Sequence, residues 1–252
     1  MDVVPGIDQL RPEHGPLFAV VGVFDGLHLG HAYLLEHLVR GASARAARPT
    51  VITFDHHPDE VLTGSAPPLL IDPDERLERL SAAGVAVTVV QPFDETLRRT
   101  SHDAFIEAIM ARTSLAGVLM TPDAAFGHER RGTPEALTAL GDRLGFDVVV
   151  VPSFALGGRS VRSTDIRAAI QRGDLTDAAR LLGREVTLAG RLSADAGSSR
   201  RVALSWPMAL PPEGRYRCRV AADEAILWIH GRQLMLEAAT VPAGPVRLRL
   251  LA

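Results

Sequence analysis

Short runs of apolar, largely β-branched residues alternate with longer amphipathic stretches over the first two thirds of the chain. The amphipathic stretches have helical spacing and are long enough to connect parallel strands; they cover residues 32–47, 74–83, 101–113 and 133–144. The apolar runs are hydrophobic on both faces, which is typical of buried strands; they cover residues 17–23, 50–54, 86–90, 117–120 and 147–151. This alternation predicts an α/β fold built on a doubly wound parallel sheet.

The pattern changes beyond residue 153. A loop containing Gly157 and Gly158 precedes helical segments at 165–171 and 175–182, which should close the first domain. Short alternating segments separated by Gly and Pro then predict a small antiparallel β module; they cover residues 185–192, 215–221, 225–229 and 246–250, with a mobile loop expected at 193–201. We therefore expect a domain of residues 1–185 and a module of residues 186–252.

The composition narrows the class of protein. With 46% hydrophobic and 23% charged residues, the 252-residue chain is ordinary globular material, neither disordered nor fibrous. Its 27 basic and 30 acidic residues give no broad footprint for nucleic acid or an anionic membrane. The first residues lack the pattern of a signal peptide, and no apolar run approaches membrane-spanning length, so we expect a cytoplasmic protein. The one cysteine, Cys218, excludes an internal disulfide and is expected to be a small buried apolar residue.

The strongest chemical signal follows the first apolar run, where residues 22–31 read GVFDGLHLGH. A segment that ends a strand and opens a helix points backbone N–H groups and the helix dipole at one spot, which favours an anion. Gly26 and Gly30 allow a phosphate to approach the main chain, and the spacing of His28 and His31 puts both imidazoles on one helix face. Phosphate binding is the favoured interpretation; an incidental surface pair and a metal pair are the alternatives.

Other segments each leave two interpretations open. Residues 55–58 read DHHP, which fits either a strand-end binding loop or a metal cluster. Phe126 either stacks on a ligand ring or belongs to the core. Ser163 and Arg167 are phosphate ligands or, taken alone, a helix N-cap and a solvated charge. Asp25 either orients a nucleotide with its magnesium or stabilises a turn.

The motif at residues 22–31 resembles the signature of the HxGH nucleotidylyltransferase superfamily, and its FDGxHxGH form is similar to prokaryotic FAD synthetases, the FMN adenylyltransferase module of bifunctional riboflavin kinases. Three other segments resemble the same family: VITFDHHPDEVL at residues 51–62, TPDAAFG at 121–127 and VRSTDIR at 161–167. The chain departs from the family patterns at His56, Thr121, Ala124 and Arg162. The Ala124 departure removes one apolar wall of the flavin pocket.

The resemblance implies a Rossmann-like fold and the transfer of AMP from ATP to FMN, giving FAD and pyrophosphate. It implies Mg²⁺ arriving with ATP, flavin as substrate and product, and no metal site of the protein's own. Three residues are expected to be catalytic: His28, His31 and Arg167. Those expected to bind ATP are Gly22, Phe24, Asp25, Gly26, Gly30, Ser163 and Thr164. Those expected to bind FMN are Phe54, His57, Pro58, Asp123, Phe126 and Gly127.

The end of the chain resembles a riboflavin kinase barrel only at its first strand, EVTLAGRL at residues 185–192. The kinase motif GxPTAN would fall near residues 202–210, which read VALSWPMAL. Roughly 65 residues are also too few for a full barrel plus a catalytic half. We therefore expect a degenerate, non-catalytic module that packs on the first domain. The alternatives to an FAD synthetase are a nucleotidylyltransferase with another phosphorylated acceptor and a non-catalytic flavin or nucleotide binder.

Overall fold

The structure is a computed structural model that describes residues 1–194, 199–231, 233–237 and 241–251. The chain divides into two compact units, each assembled from several segments. The first unit comprises Met1–Phe24, Gly30–Pro67 and Leu77–Phe154, and the second comprises Asp25–Leu29, Pro68–Arg76 and Ala155–Ala252. The expected boundary at residues 185 and 186 falls inside the second unit, so the division at that point stays a prediction.

The first unit contains a six-stranded sheet. Its strands are β1 (Asp2–Val4), β2 (Leu17–Val21), β3 (Arg48–Phe54), β4 (Val87–Gln91), β5 (Leu115–Met120) and β6 (Asp147–Val150). The strand order is β1-β4-β3-β2-β5-β6, and the five pairings are parallel. This confirms the predicted sheet and adds β1, a three-residue edge strand whose pattern is too short to show a period.

The helices lie between the strands in sequence, but the short ones at residues 58–63 and 95–99 were not predicted. They are α1 (Leu29–Ser43), α2 (Pro58–Thr63), α3 (Pro73–Ala82), α4 (Glu95–Arg99), α5 (His102–Met110) and α6 (Pro134–Leu144). Short 3₁₀ turns occupy Ile7–Gln9, Pro12–His14 and His128–Arg130. Strand residues such as Leu17, Ile52 and Val118 form one buried cluster with Ile106 and Leu137 of the helices. Burial on both faces explains the continuous apolar runs of the central strands.

The sheet has a topological switch point at β2. This strand lies between β3 and β5, and the chain runs from β2 towards one edge and from β5 towards the other. Loops at the carboxyl ends of two such strands diverge and leave room for a ligand. Residues 22–24 follow β2 at this point, and residues 121–127 follow β5.

The second unit contains a short hairpin, two helices and a barrel. The hairpin is β7 (Ala155–Leu156) with β8 (Arg159–Ser160), and the helices are α7 (Ser163–Gln171) and α8 (Leu175–Leu182). The barrel strands are β9 (Val186–Leu192), β10 (Ser199–Leu204), β11 (Gly214–Val220), β12 (Asp223–His230), β13 (Gln233–Glu237) and β14 (Gly244–Leu250). They close in the order β10-β13-β12-β11-β14-β9.

The closed barrel is more complete than the length argument led us to expect. Strands β10 and β13 were not predicted, and β10 begins inside the segment assigned to a loop. Its inward position 200 is a buried arginine, which breaks the apolar alternation. Residues 195–198 of that expected loop lie outside the described residues. Cys218 is buried in β11, and burial raises the pKa of its thiol to about 11, as fits a small apolar residue.

Within the described ranges, no helix combines the length and apolarity that crossing a membrane requires.

Candidate functional site

The GVFDGLHLGH motif joins the end of β2 to the start of α1, which confirms the predicted strand, turn and helix order. Its backbone is left-handed at Phe24 (φ 53°), Gly26 (φ 83°) and Leu27 (φ 39°). At residues other than glycine this conformation costs about 1–3 kcal/mol and persists only when neighbouring groups hold it. A Cβ on Gly26 would also lie 3.1 Å from Leu70, so that position requires glycine.

The part of the motif in the first unit is tied to β3. The Gly22 N–H donates to the Ile52 carbonyl at 3.0 Å, and the Thr53 hydroxyl donates to the Val23 carbonyl at 3.0 Å. Phe24 is buried, and its ring centroid lies 5.0 Å from that of His31. The ring of Phe24 therefore supports His31 from the side.

The part of the motif in the second unit is residues Asp25–Leu29, which we call the motif loop. The Asp25 side chain is 3% exposed, and its two carboxylate oxygens have different partners. One accepts from the Leu70 N–H at 2.9 Å, and the other lies 2.6 Å from Nη2 of Arg167. This arrangement makes Asp25 a structural carboxylate that fixes the loop.

Ser163 and Arg167 of α7 contact the motif loop. The Ser163 hydroxyl donates to the Asp25 carbonyl at 3.0 Å. Arg167 is 8% exposed and donates through Nε to the Pro68 carbonyl at 2.8 Å. The alternative interpretations were a helix N-cap for Ser163 and a solvated charge for Arg167. Both are wrong, because Arg162 is the N-cap of α7 and Arg167 is a buried charge. Thr164 lies on the exposed side of the same turn.

His28 is the histidine of the motif loop. It is 5% exposed, and burial together with the charges of Arg184 and Arg167 lowers its pKa from 6.5 to about 4. The imidazole is therefore neutral at pH 7. A neutral imidazole has one N–H donor and one acceptor nitrogen.

A second buried network supports the same loop and was not singled out from the sequence. Nη2 of Arg184 donates to the Gly26 carbonyl at 2.7 Å, and its Nε lies 3.9 Å from Glu75. Glu75 accepts from the Thr187 hydroxyl at 2.8 Å and lies 3.4 Å from Nε of Arg247. In the sequence Glu75 looks like an ordinary acidic residue of a first helical turn, and only the tertiary fold buries it.

The residues expected to bind flavin after β3 have structural partners within the first unit. The Phe54 ring is buried and packs edge-on against Phe93, with centroids 5.2 Å apart. His57 caps α2, since its Nδ1 accepts from the Asp59 N–H at 3.2 Å, and Pro58 is the first residue of that helix. Across the described part of the chain, no three His, Cys, Asp or Glu side chains are grouped as a metal site requires.

The loop after β5 is more open. Asp123 is exposed, and its carboxylate accepts from the hydroxyls of Thr121 at 2.9 Å and Ser153 at 3.3 Å. Phe126 is half-buried and packs edge-on against Phe105, with centroids 5.6 Å apart. A Cβ on Gly127 (φ 76°) would lie 2.5 Å from the backbone of His102, which excludes other residues there. The Phe126 ring thus belongs partly to the core and keeps an exposed part.

Comparison with known proteins decides the family. The profile of the FAD synthetase family matches residues 10–165, more than half of the chain. The chain belongs to the FAD synthetase family. This family member is 31% identical over 193 residues to the bifunctional riboflavin kinase/FMN adenylyltransferase of Pseudomonas fluorescens, covering 76% of this chain and 62% of the relative. It is 34% identical over 174 residues to the enzyme of that name from Haemophilus influenzae, covering 68% and 56%. The chain thus spans about three fifths of the length of these relatives.

A solved structure shares the fold of this FAD synthetase family member from end to end. The crystal structure of a macrolide-efflux protein from Streptococcus pneumoniae superposes with a TM-score of 0.82 at 20% identity. The match covers 99% of this chain and 89% of that protein. It therefore shows that the α/β sheet and the terminal barrel occur together in a known fold.

Within the family member, the expected site residues fall into local groups. The second unit brings Asp25, Gly26, Ser163 and Arg167 together by direct contacts through the motif loop and its neighbours. The first unit brings Phe24 and His31 together. The residues expected to contact flavin lie in two segments of the first unit, after β3 and after β5. Their roles towards ligands stay predictions.

Proposed function

We propose that this protein is an FMN adenylyltransferase that transfers AMP from ATP to FMN, giving FAD and pyrophosphate. The observation that carries the proposal is the motif loop, in which a buried neutral His28 lies within the field of two buried or half-buried arginines. A loop at a helix start with such cations suits the phosphates of a nucleotide. The family match and the names of the curated relatives support the choice of reaction.

The proposed reaction is a phosphoryl-group displacement. An oxygen of the FMN 5′-phosphate attacks the α-phosphorus of ATP, and the bond from that phosphorus to the bridging oxygen breaks. The electron pair leaves with pyrophosphate, while the new bond joins FMN to AMP. A phosphate monoester is already anionic at neutral pH, so the protein needs to position the reactants and stabilise charge rather than supply a base.

His28 and His31 are proposed to donate hydrogen bonds to oxygens of the transferring phosphate. Because burial keeps His28 neutral, it adds no positive charge that would bind ATP strongly in the ground state. A positioned donor instead gains strength as charge develops in the transition state. Gly30 is proposed to let phosphate approach the backbone, and Thr164 offers an exposed hydroxyl at the start of α7.

Mg²⁺ is proposed to arrive as part of the substrate MgATP. Asp25 is the motif carboxylate closest in sequence to the two histidines, but its oxygens are engaged by Leu70 and Arg167. Mg²⁺ usually keeps several waters and binds substrate phosphates with one or two carboxylates. The phosphates of ATP and water are therefore the proposed ligands of the ion.

The flavin is proposed to use the segments after β3 and β5, with Phe54, His57, Pro58, Asp123, Phe126 and Gly127. The half-buried Phe126 is the aromatic that fits the stacking role best, because part of its ring remains exposed while Phe105 fixes the other part. Stacking on a flat ring system adds on the order of 1 kcal/mol beyond burial. Asp123 offers an exposed carboxylate to the polar edge of the flavin.

We also propose that the protein lacks riboflavin kinase activity. The segment at residues 202–210 reads VALSWPMAL, without the Thr-Ala-Asn of the kinase pattern that the family resemblance suggests. Its backbone instead pairs with residue 69, since the Leu69 N–H donates to the Pro207 carbonyl at 2.7 Å and the Ala209 N–H donates to the Leu69 carbonyl at 2.8 Å.

The deciding experiment is incubation of the full chain with ATP and Mg²⁺ together with either FMN or riboflavin, followed by chromatography of the flavins. FAD and pyrophosphate are expected from FMN, and neither FMN nor FAD from riboflavin. Pyrophosphate release with another phosphorylated acceptor, but not with FMN, would change the substrate. FMN and ATP binding without pyrophosphate release would make the protein a non-catalytic binder and overturn the proposal.

A further inference from the structure

The barrel reaches the motif loop through a buried ionic network within the second unit. Thr187 on β9 and Arg247 on β14 both contact Oε2 of Glu75, at 2.8 Å and 3.4 Å. Glu75 is 1% exposed, and its other oxygen faces Arg184 at 3.9 Å. Arg184 in turn holds the Gly26 carbonyl of the loop at 2.7 Å. A chain of contacts therefore runs from two barrel strands to the backbone of the loop.

A second route uses backbone hydrogen bonds. The Leu69 N–H and carbonyl both pair with residues 207–209, which follow β10 of the barrel. The neighbouring Leu70 N–H donates to Asp25, and the neighbouring Pro68 carbonyl accepts from Arg167. The segment in which the kinase motif would fall thus pairs with the stretch of residues 68–70, which contacts Asp25 and its partner Arg167.

We propose that the barrel is a brace that positions the motif loop, with Glu75, Thr187 and Arg247 as positioning residues. The positioning of the loop by the barrel does not depend on the reaction, whereas its effect on catalysis rests on the proposed function. This assigns a role to the module that the sequence led us to regard as a degenerate appendage.

Two physical features explain why the loop needs such support. The left-handed conformation of Leu27 stores backbone strain, which surrounding contacts must balance. Glu75 is also a buried carboxylate, and such a charge is tolerated only when paired and hydrogen-bonded. Removing one member of a buried network leaves the others incompletely satisfied. Loss of a barrel contact should therefore loosen the loop at the other end of the network.

The first test measures the loop directly and needs no activity. Amide hydrogen exchange of a peptide spanning residues 22–31 is compared in the wild type, Arg247→Gln and Thr187→Val, with Thr187→Ser as the rescue that keeps the hydroxyl. Exchange in this peptide should be on the order of tenfold faster in Arg247→Gln and Thr187→Val, and near the wild-type rate in Thr187→Ser. A peptide from α5 should exchange as in the wild type.

Matched controls come from the barrel itself. Arg249→Gln alters the same strand two residues further on, where the guanidinium donates to the Ala221 carbonyl at 2.8 Å. Glu224→Gln removes a barrel carboxylate that pairs with Arg217 at 2.9 Å. Both controls should leave the exchange of residues 22–31 unchanged. If the controls loosen the loop as much as Arg247→Gln does, the effect is general destabilisation and the brace is refuted.

The second test uses the reaction. In Arg247→Gln the kcat for FAD formation should fall about tenfold with the KM for FMN nearly unchanged, because the loop is misplaced while the flavin segments are intact. Failure of the wild type to form FAD would refute the proposed function and leave the exchange test standing. Unchanged exchange in both Arg247→Gln and Thr187→Val would refute the brace, even in an active enzyme. Because Arg247 is partly exposed, its variant also answers the question if Thr187→Val does not fold.

Discussion

The motif loop and the loop after β5 carry the two halves of the proposed substrate pair, and they are built in opposite ways. In the motif loop the polar side chains Asp25 and His28 are buried, and Arg184 donates to the Gly26 carbonyl. In the loop after β5, Asp123 is exposed and Phe126 half-buried. A site that stabilises charge on a reacting phosphate gains from fixed dipoles. The contrast favours a preformed site on the proposed ATP side and a more open loop on the proposed flavin side.

The largest predicted effect comes from a change at the buried ion pair of Asp25 in the motif loop. Asp25→Asn removes the charge that faces Arg167 at 2.6 Å and leaves a buried cation uncompensated. The free energy of unfolding should fall by about 4 kcal/mol, as is typical when one partner of a buried pair is removed. Chemical denaturation followed by fluorescence or circular dichroism measures the change.

The matched control for Asp25→Asn is Glu95→Gln, which removes a carboxylate from the exposed ion pairs with Arg98 and Arg99. Exposed pairs are screened by water and contribute little, so this variant should be nearly as stable as the wild type. Equal losses in the two variants would show that Asp25 is not a structural centre of the loop.

The next largest effect is expected at the proposed transition state. His28→Ala should lower kcat for pyrophosphate release at least a hundredfold, because one preorganised donor is lost. ATP affinity should change much less, since a neutral imidazole contributes little to ground-state binding. Steady-state assays of pyrophosphate release measure kcat, and binding titrations with ATP measure its affinity.

His37→Ala provides the control, since His37 lies on α1 and packs edge-on against Tyr33 with ring centroids 4.5 Å apart. It should retain nearly full turnover. An active His28→Ala enzyme, or one whose defect is restored by saturating ATP, would remove His28 from the proposed chemistry and leave it as a buried structural residue.

The preformed state of the motif loop also predicts how stability depends on pH. The pKa of His28 is about 4 in the folded protein and 6.5 as its ordinary value, so the unfolded chain binds a proton between these values and the folded protein does not. The stability from this residue is complete above pH 6.5 and is lost as the pH falls towards 4. Between about pH 7 and pH 5 the loss is about 2 kcal/mol.

Comparison of the wild type with His28→Asn isolates this contribution, because asparagine does not titrate. The difference in the free energy of unfolding between the two proteins should shrink as the pH falls from 7 to 5. A difference that stays constant over this interval would show that His28 is protonated with its ordinary pKa, and therefore that the motif loop is hydrated.

The same contrast explains what could be predicted from the sequence. The order of strands and helices in the sheet domain could be predicted from periodicity, because a strand that is buried on both faces has a continuous apolar sequence. Helix α8 has the predicted bounds, Leu175–Leu182, since an Asp cap and a glycine stop mark its ends. Strands β1 and β10 were missed, because one is too short and the other has an inward arginine.

The candidate site was predictable only where a local motif carries it. The sequence pattern assigned Ser163 to phosphate binding, which stays a prediction, and in the structure the Ser163 hydroxyl donates to the Asp25 carbonyl. Glu75, Arg184 and Arg247 carry no local signal, because their roles arise from burial between segments far apart in sequence. The residue type at a position does not reveal which charged residue, distant in sequence, will lie next to it in the fold.

The smallest predicted effect comes from a substitution in the more open loop after β5. Ala124 stands where the family resemblance expects phenylalanine, and it is half-buried against the core cluster that includes Phe105. Ala124→Phe should lower the KM for FMN about fivefold, since an added aromatic wall contributes on the order of 1 kcal/mol. The KM for ATP should not change, because the motif loop is held by its own contacts. Ala125→Phe, at the neighbouring position, is the control and should not improve flavin binding. If Ala124→Phe instead weakens FMN and ATP binding equally, the two loops are not independent, and the contrast between a preformed side and a more open side is wrong.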